Sequence, residues 1–182
     1  MYVYAILTSK HILYQDVLQG LFDNQYETVD LKGHYKKCLD RIEKAEISDD
    51  LKELFDYQRQ LIKVLYLKCD MGNRLFENYK SKDIEALKRD RDEIRLLADE
   101  FAVLHDCLAT LWLKNNKPFG LDRLDLRFGG TAARIKRAEM RLNSYLMGEI
   151  DCIEELEEER LAFGEPQFIP LASYSTFDSV SI

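Results

Sequence analysis

Residues 112–145 read WLKNNKPFGLDRLDLRFGGTAARIKRAEMRLNSY, and how this stretch is divided decides the fold. Pro118 and Gly120 form a strong local break, because proline lacks a backbone N–H and glycine adopts backbone angles that other residues avoid. Leu121, Leu124, Leu126 and Phe128 follow in an alternating pattern with Asp122, Asp125 and Arg127 among them, and Gly129-Gly130 comes next. Each glycine in a helix interior is worse than alanine by about 1 kcal/mol. The stretch therefore predicts an irregular connector up to Gly130, with a helix only beyond it. Such a connector is either a docking surface or a costly turn.

On both sides of the connector apolar residues recur at steps of three and four, the spacing that places them on one helical face. Leu31, Tyr35, Cys38, Leu39 and Ile42 mark a first helix from about Thr28. Ser48 or Asp49 supplies a cap for a second, whose stripe runs Leu51, Leu54, Phe55, Leu61, Ile62, Leu65 and Cys69. Gly72-Asn73 reads as an interruption or C-cap before a last turn near Tyr79. Ser81 is expected to cap the third helix, whose stripe of Ile84, Leu87, Ile94, Leu97, Phe101, Leu104, Leu108 and Leu111 is the clearest in the chain. A helix of about thirty residues is about 45 Å long and requires long neighbours. After Gly130 come Ile135, Ala138, Leu142, Tyr145, Leu146, Ile150, Ile153 and Leu156 on a fourth.

Four such segments with short connections predict an all-α fold, an antiparallel bundle of about four long helices. The whole chain, residues 1–182, reads as a single helical domain. Residues 1–26 form an irregular or extended lead-in, 27–163 the bundle and 164–182 an extended tail rich in Ser, β-branched and aromatic residues. The lead-in is too apolar to be a free tail and must be covered by the bundle or by a neighbouring domain.

A net charge of -7 argues against nucleic acid as a partner. The densest basic group, Arg134, Lys136, Arg137 and Arg141, stands at helical spacing beside Glu139 and reads as a solvated face. No apolar run approaches the roughly 20 residues of a membrane span, and no signal peptide is visible. Cys38, Cys69, Cys107 and Cys152 lie far apart, with no CxxC pair and no histidine at metal-ligand spacing. They read as reduced core residues of a cytoplasmic protein, with a disulfide pair as the alternative.

The search for chemistry yields little. Asp92-Glu93 and Asp99-Glu100 are adjacent carboxylates, but consecutive helical residues point about 100° apart, so ion pairing with neighbouring arginines accounts for them better than acid–base catalysis. His11, His34 and His105 belong to no Glu-x-x-His motif. No metal or cofactor is expected. Trp112, Tyr14, Phe22 and Phe128 suggest a sugar-stacking platform, although aromatics at this density more often form core. The acidic run Glu154–Glu159, interrupted by Leu156, stands near the expected end of the fourth helix and is either a solvated face or a surface for a basic partner.

Residues 115–151, NNKPFGLDRLDLRFGGTAARIKRAEMRLNSYLMGEID, with IEELEEERL after them and SKHILYQDVLQGLFD at 9–23, resemble the C-terminal helical domain of bacterial exo-β-N-acetylhexosaminidases of glycoside hydrolase family 20. The likeness is greatest to the cytoplasmic streptococcal type. Trp112, Asn116, Lys117, Phe119, Gly120, Asp125, Arg127, Gly129, Gly130, Arg134 and Tyr145 carry it. The resemblance implies an N-terminal α/β domain and a (β/α)₈ barrel ahead of this domain. It also implies removal of terminal N-acetylglucosamine or N-acetylgalactosamine, with an Asp orienting the substrate's acetamido nucleophile and the next Glu as general acid. That pair lies in a Gly-x-Asp-Glu context, whereas Arg91 precedes Asp92 and Ala98 precedes Asp99 here. The implied role is a non-catalytic domain that packs on the barrel and supports a homodimer.

Asp125, Arg127, Phe128 and Trp112 are the interface candidates, with Asp125 and Arg127 pairing with each other or capping the neighbouring helices as the plain alternative. A free-standing helical interaction module and a carbohydrate-binding accessory domain are the competing functions. A domain cut from its barrel should leave Tyr2, Tyr4, Ile6 and Leu13 partly exposed, whereas an independent module should bury them.

Overall fold

The structure, a computed structural model, describes residues 8–20, 23–26 and 28–158. It is all-α, with no strand among the described residues. The helices are α1 (Thr8–Tyr14), α2 (Asp23–Tyr26), α3 (Leu31–Glu43), α4 (Lys52–Lys68), α5 (Met71–Lys80), α6 (Ile84–Asn115), α7 (Leu121–Leu146) and α8 (Glu154–Glu157), with a 3₁₀ turn at Asp49–Leu51. The extended tail expected over 164–182 and the first seven residues lie outside the described residues.

The long helices form a row in which α3 packs on α4, α4 on α6 and α6 on α7. Cross-links fix their directions. Glu53 pairs with Lys114 and Gln60 with Glu100, so α4 and α6 run antiparallel. Arg74 with Asp90 continues the same register along α5. Arg95 with Glu139 and His105 with Asp125 set α7 antiparallel to α6. Lys32 with Asp70 places the start of α3 beside the end of α4. A row leaves one apolar side of α4, α6 and α7 uncovered, and the N-terminal segment covers it. Ile12, Leu13, Tyr14, Val17 and Leu18 are buried in one core with Phe101, Leu104, Phe128 and Ile135.

That placement corrects the reading of residues 1–26 as irregular or extended. Thr8–Tyr14 and Asp23–Tyr26 are helical: Ile12, Leu13 and Tyr14 of α1 are buried where it meets α4 and α7, and Tyr26 of α2 packs against the same core. Leu13, expected to be exposed in a domain cut from its barrel, is buried by its own helices; Tyr2, Tyr4 and Ile6 lie outside the described residues.

The connector is also corrected. Gly120, with φ of 95°, ends the break as the residue before α7, and the helix runs unbroken through Gly129-Gly130 to Leu146. The buried positions explain why: Leu121, Phe128, Thr131, Ile135, Ala138 and Leu142 alternate steps of seven or four with three, a continuous helical stripe. Burial of that stripe outweighs the roughly 2 kcal/mol of propensity lost at two glycines.

Three further boundaries differ from expectation. The break inside the second segment falls at Cys69-Asp70, so Gly72 and Asn73 lie in the first turn of α5. Gly72 belongs there because a Cβ would come within 2.4 Å of the Asp23 carboxylate. Ser81 closes α5, its hydroxyl donating to the Glu77 and Asn78 carbonyls, while Asp83 caps α6 by accepting from Ala86 N–H at 2.9 Å. Finally, α7 ends at Leu146 and a turn through Gly148, with φ of 72°, separates it from α8. Ile153 and Leu156 still reach the core, but from the turn and from α8. The acidic run therefore stands at the start of a helical turn and not at the end of a long helix.

Candidate functional site

Of the adjacent carboxylates on α6, Glu93 and Glu100 tie it to neighbouring helices. Asp92 pairs with Arg91, Glu93 with Arg74 of α5, and Glu100 accepts from Gln60 and pairs with Lys63 of α4. Two hydrogen bonds and the Lys63 charge pull the Glu100 carboxyl below the usual range against a desolvation that opposes them. Asp90, almost fully buried, is held by Arg74 and Asn78. The acidic run is used in the same way: Glu154 and Glu155 pair with Arg141, and Glu157 takes Lys80 and the Tyr79 hydroxyl. Half of the basic group at 134–141 is thus neutralised within the chain. Among the described residues no three His, Cys, Asp or Glu side chains converge as metal ligands, and no helix is long and apolar enough to cross a membrane.

Three of the four interface candidates meet at one place. Asp125 and Arg127 do not pair with each other. His105 Nε2 lies 2.8 Å from Asp125 Oδ1, and the imidazole stacks on the Phe128 ring at 5.1 Å. Phe128 in turn packs edge-on against Tyr14 and at a tilt against Phe101. The Arg127 guanidinium lies over the Tyr14 ring at 5.3 Å. These groups clamp the N-terminal segment onto α6 and α7. They also dissolve the aromatic platform suggested by the sequence, since Tyr14 and Phe128 face each other inside the core; Phe22 lies outside the described residues.

The most deeply buried charge was invisible in the sequence. Lys68 is 1% exposed, and its ammonium donates to the Leu13 carbonyl at 2.7 Å. Burial pulls its pKa down to about 7, against the opposing pull of Asp16 and Asp23. Asp16 also holds the Leu18 and Gln19 N–H groups and pairs with Arg134 of α7. Residues 11–20 are therefore pinned from α4 by Lys68 and from α7 by Arg134. No short-range pattern marks Lys68, whose partner is 55 residues away.

Trp112, the fourth candidate, stands apart at the α6–α7 end. Its indole N–H donates to the Lys117 carbonyl at 2.9 Å, and Gly120 lies so close beneath the ring that a Cβ would be 3.4 Å from Cζ2. The indole is thereby fixed as one wall of an open groove of about 430 Å³, whose other apolar walls are Leu51, Leu54, Leu108 and Leu111. Glu53 and Lys114 pair across its rim at 2.8 Å. Leu51 and Leu54 in its wall are 46% and 40% exposed, and Phe119 in the turn is 82% exposed. A larger cleft of about 940 Å³ between α3, α5 and α8 is bordered by paired charges, Lys32 with Asp70 and Lys80 with Glu157. All four cysteines are free thiols of intermediate exposure, and Cys69 packs against the core.

These features define an all-helical scaffold domain, its ionisable groups used between helices and its one Trp set in an apolar groove at the end of the two longest helices. Comparison with protein families gives the description Glycoside Hydrolase 20C C-terminal domain over residues 3–169, and the chain belongs to that family. No curated protein matches the chain.

Proposed function

We propose that this chain is the non-catalytic C-terminal domain of a cytoplasmic β-N-acetylhexosaminidase, packing on an N-terminal catalytic barrel of the same polypeptide and supporting a homodimer. Membership of a family described as a C-terminal domain carries the reading. Substrate-assisted hydrolysis of terminal N-acetylhexosamines would be the work of the barrel. The groove at the α6–α7 end is the surface best suited to the barrel, because a fixed indole and the exposed leucines that line the groove with it, Leu51 and Leu54, gain from being covered. Four free thiols fit a reducing compartment.

The test is the coding sequence ahead of codon 1 together with an activity assay. A frame that continues upstream into a barrel bearing a Gly-x-Asp-Glu strand end is expected, and a start codon with a stop upstream of it would contradict the reading. The purified chain should release no nitrophenol from a chromogenic N-acetylglucosaminide; release would contradict its non-catalytic role.

A further inference from the structure

We propose that the outward face of α7 pairs with the same face of a second copy of this chain, antiparallel, about a two-fold axis between residues 129 and 130. This deepens the dimer part of the reading above and uses none of the groove residues.

At 100° per residue, Asp122, Leu126, Gly129, Ala133, Arg137 and Met140 fall within about 40° of one line along α7, opposite the buried stripe. All six are exposed, Leu126 at 75% and Met140 at 50%. A leucine left this open in the middle of a well-formed helix is an apolar surface without a partner among the described residues.

The charges on this line are self-complementary. Asp122 stands at the N-terminal end and Arg137 at the C-terminal end, fifteen residues or about 22 Å apart, too far to meet within one helix. Arg137 has no ion pair among the described residues, whereas Arg134 and Arg141 beside it are both paired. An antiparallel two-fold contact centred between 129 and 130 sets Asp122 against the partner's Arg137 twice. The same register sets Leu126 on the partner's Ala133 and brings Phe119, 82% exposed, level with the partner's Met140. One register thus matches both charge and apolar groups.

Gly129 suits this contact. A Cβ there would meet no atom within 4 Å, so nothing among the described residues requires a glycine. At the centre of a helix pair, its absent side chain lets the two backbones approach closely.

The 182-residue chain is tested by sedimentation over about 5–300 μM, since one helix pair is smaller than a standard interface and a dissociation constant on the order of micromolar is expected. Arg137→Asp should weaken the dimer about tenfold or more by setting two carboxylates together. The double variant Asp122→Arg/Arg137→Asp should restore it to within about threefold of the starting chain. The double variant also loses the Asp122 acceptor for Gly120 N–H, so its thermal midpoint falls while the dimer returns. Gly129→Leu should weaken the dimer about tenfold while helix content stays unchanged and thermal stability holds or rises. A chain that stays monomeric throughout this range overturns the proposal. So does a dimer that Arg137→Asp and Gly129→Leu leave intact, or a double variant that fails to restore pairing. Loss of barrel binding by groove variants with the dimer unchanged would separate the two surfaces.

Discussion

Replacing Lys68 by methionine should change the pH dependence of folding and not merely its size. Lys68 is fully buried, and its pKa falls from 10.5 to about 7 in the folded chain. Below pH 7 both folded and unfolded chains hold the proton, and the wild type carries the full penalty of a buried ammonium. As pH rises above 7 the folded chain releases the proton and the unfolded chain keeps it, so stability climbs with pH. At about 1.4 kcal/mol per pH unit, the climb from this group is about 2–3 kcal/mol between pH 6 and 9. The window stops at 9 because Cys69, whose thiol burial raises to about 11, works in the opposite direction beyond it.

Methionine conserves most of the volume and carries no charge. It leaves the Leu13 carbonyl without its donor, at about 1–3 kcal/mol, and this loss is independent of pH. Urea unfolding at half-unit steps from pH 6 to 9 should therefore show the wild type gaining on Lys68→Met by about 2–3 kcal/mol across the range. The variant should be nearest the wild type, or above it, at pH 6. Parallel curves would show that Lys68 titrates normally and would refute the buried, poorly compensated ammonium.

Further expectations concern the clamp and the boundaries. Phe128→Ala removes the ring that joins Tyr14, Phe101 and His105 and should cost about 3–5 kcal/mol in urea unfolding, with α1 losing amide protection first. Asp83→Ala should lose about 1 kcal/mol as the cap of α6, while Ser81→Ala should lose about half of that or less, measured by thermal melts of the two variants side by side. Tyr79→Phe removes a hydroxyl that donates to Glu157 at 2.6 Å and accepts from the buried Ile153 N–H at 3.1 Å. The Ile153 amide should then exchange faster, at about 1–2 kcal/mol in stability.

The all-α class and the length of α6 are written in local spacing, because each side chain of the stripe from Leu87 to Leu111 repeats the same face. The start of α7 was obscured by local signals that tertiary burial overrides. Leu126 makes the pattern look alternating, yet it points to solvent, and the true stripe passes from Leu121 to Phe128 and on to Ile135. Ser81 is the cap expected from sequence, and the position of the α5–α6 turn gives that role to Asp83. The candidate residues were legible as unusual but not by role. Asp125 and Arg127 find partners 20 and 113 positions away, in His105 and Tyr14, and spacing carries no trace of such pairings. Lys68 escaped for the same reason. Trp112 was legible because the Pro118–Gly120 turn that fixes its indole is adjacent in the chain.

The central claim, that this helical domain serves a catalytic barrel by packing against it, is tested most directly by co-elution. A barrel of this family produced from the coding sequence ahead of this chain should form a complex with the separately purified 182-residue chain on size exclusion. The substitutions Leu51→Glu and Leu54→Glu in the wall of the Trp112 groove should weaken that complex about tenfold or more while leaving the domain's helix content intact. Failure of the unaltered chain to bind the barrel at high concentration, or binding that both glutamates leave unchanged, would contradict the account.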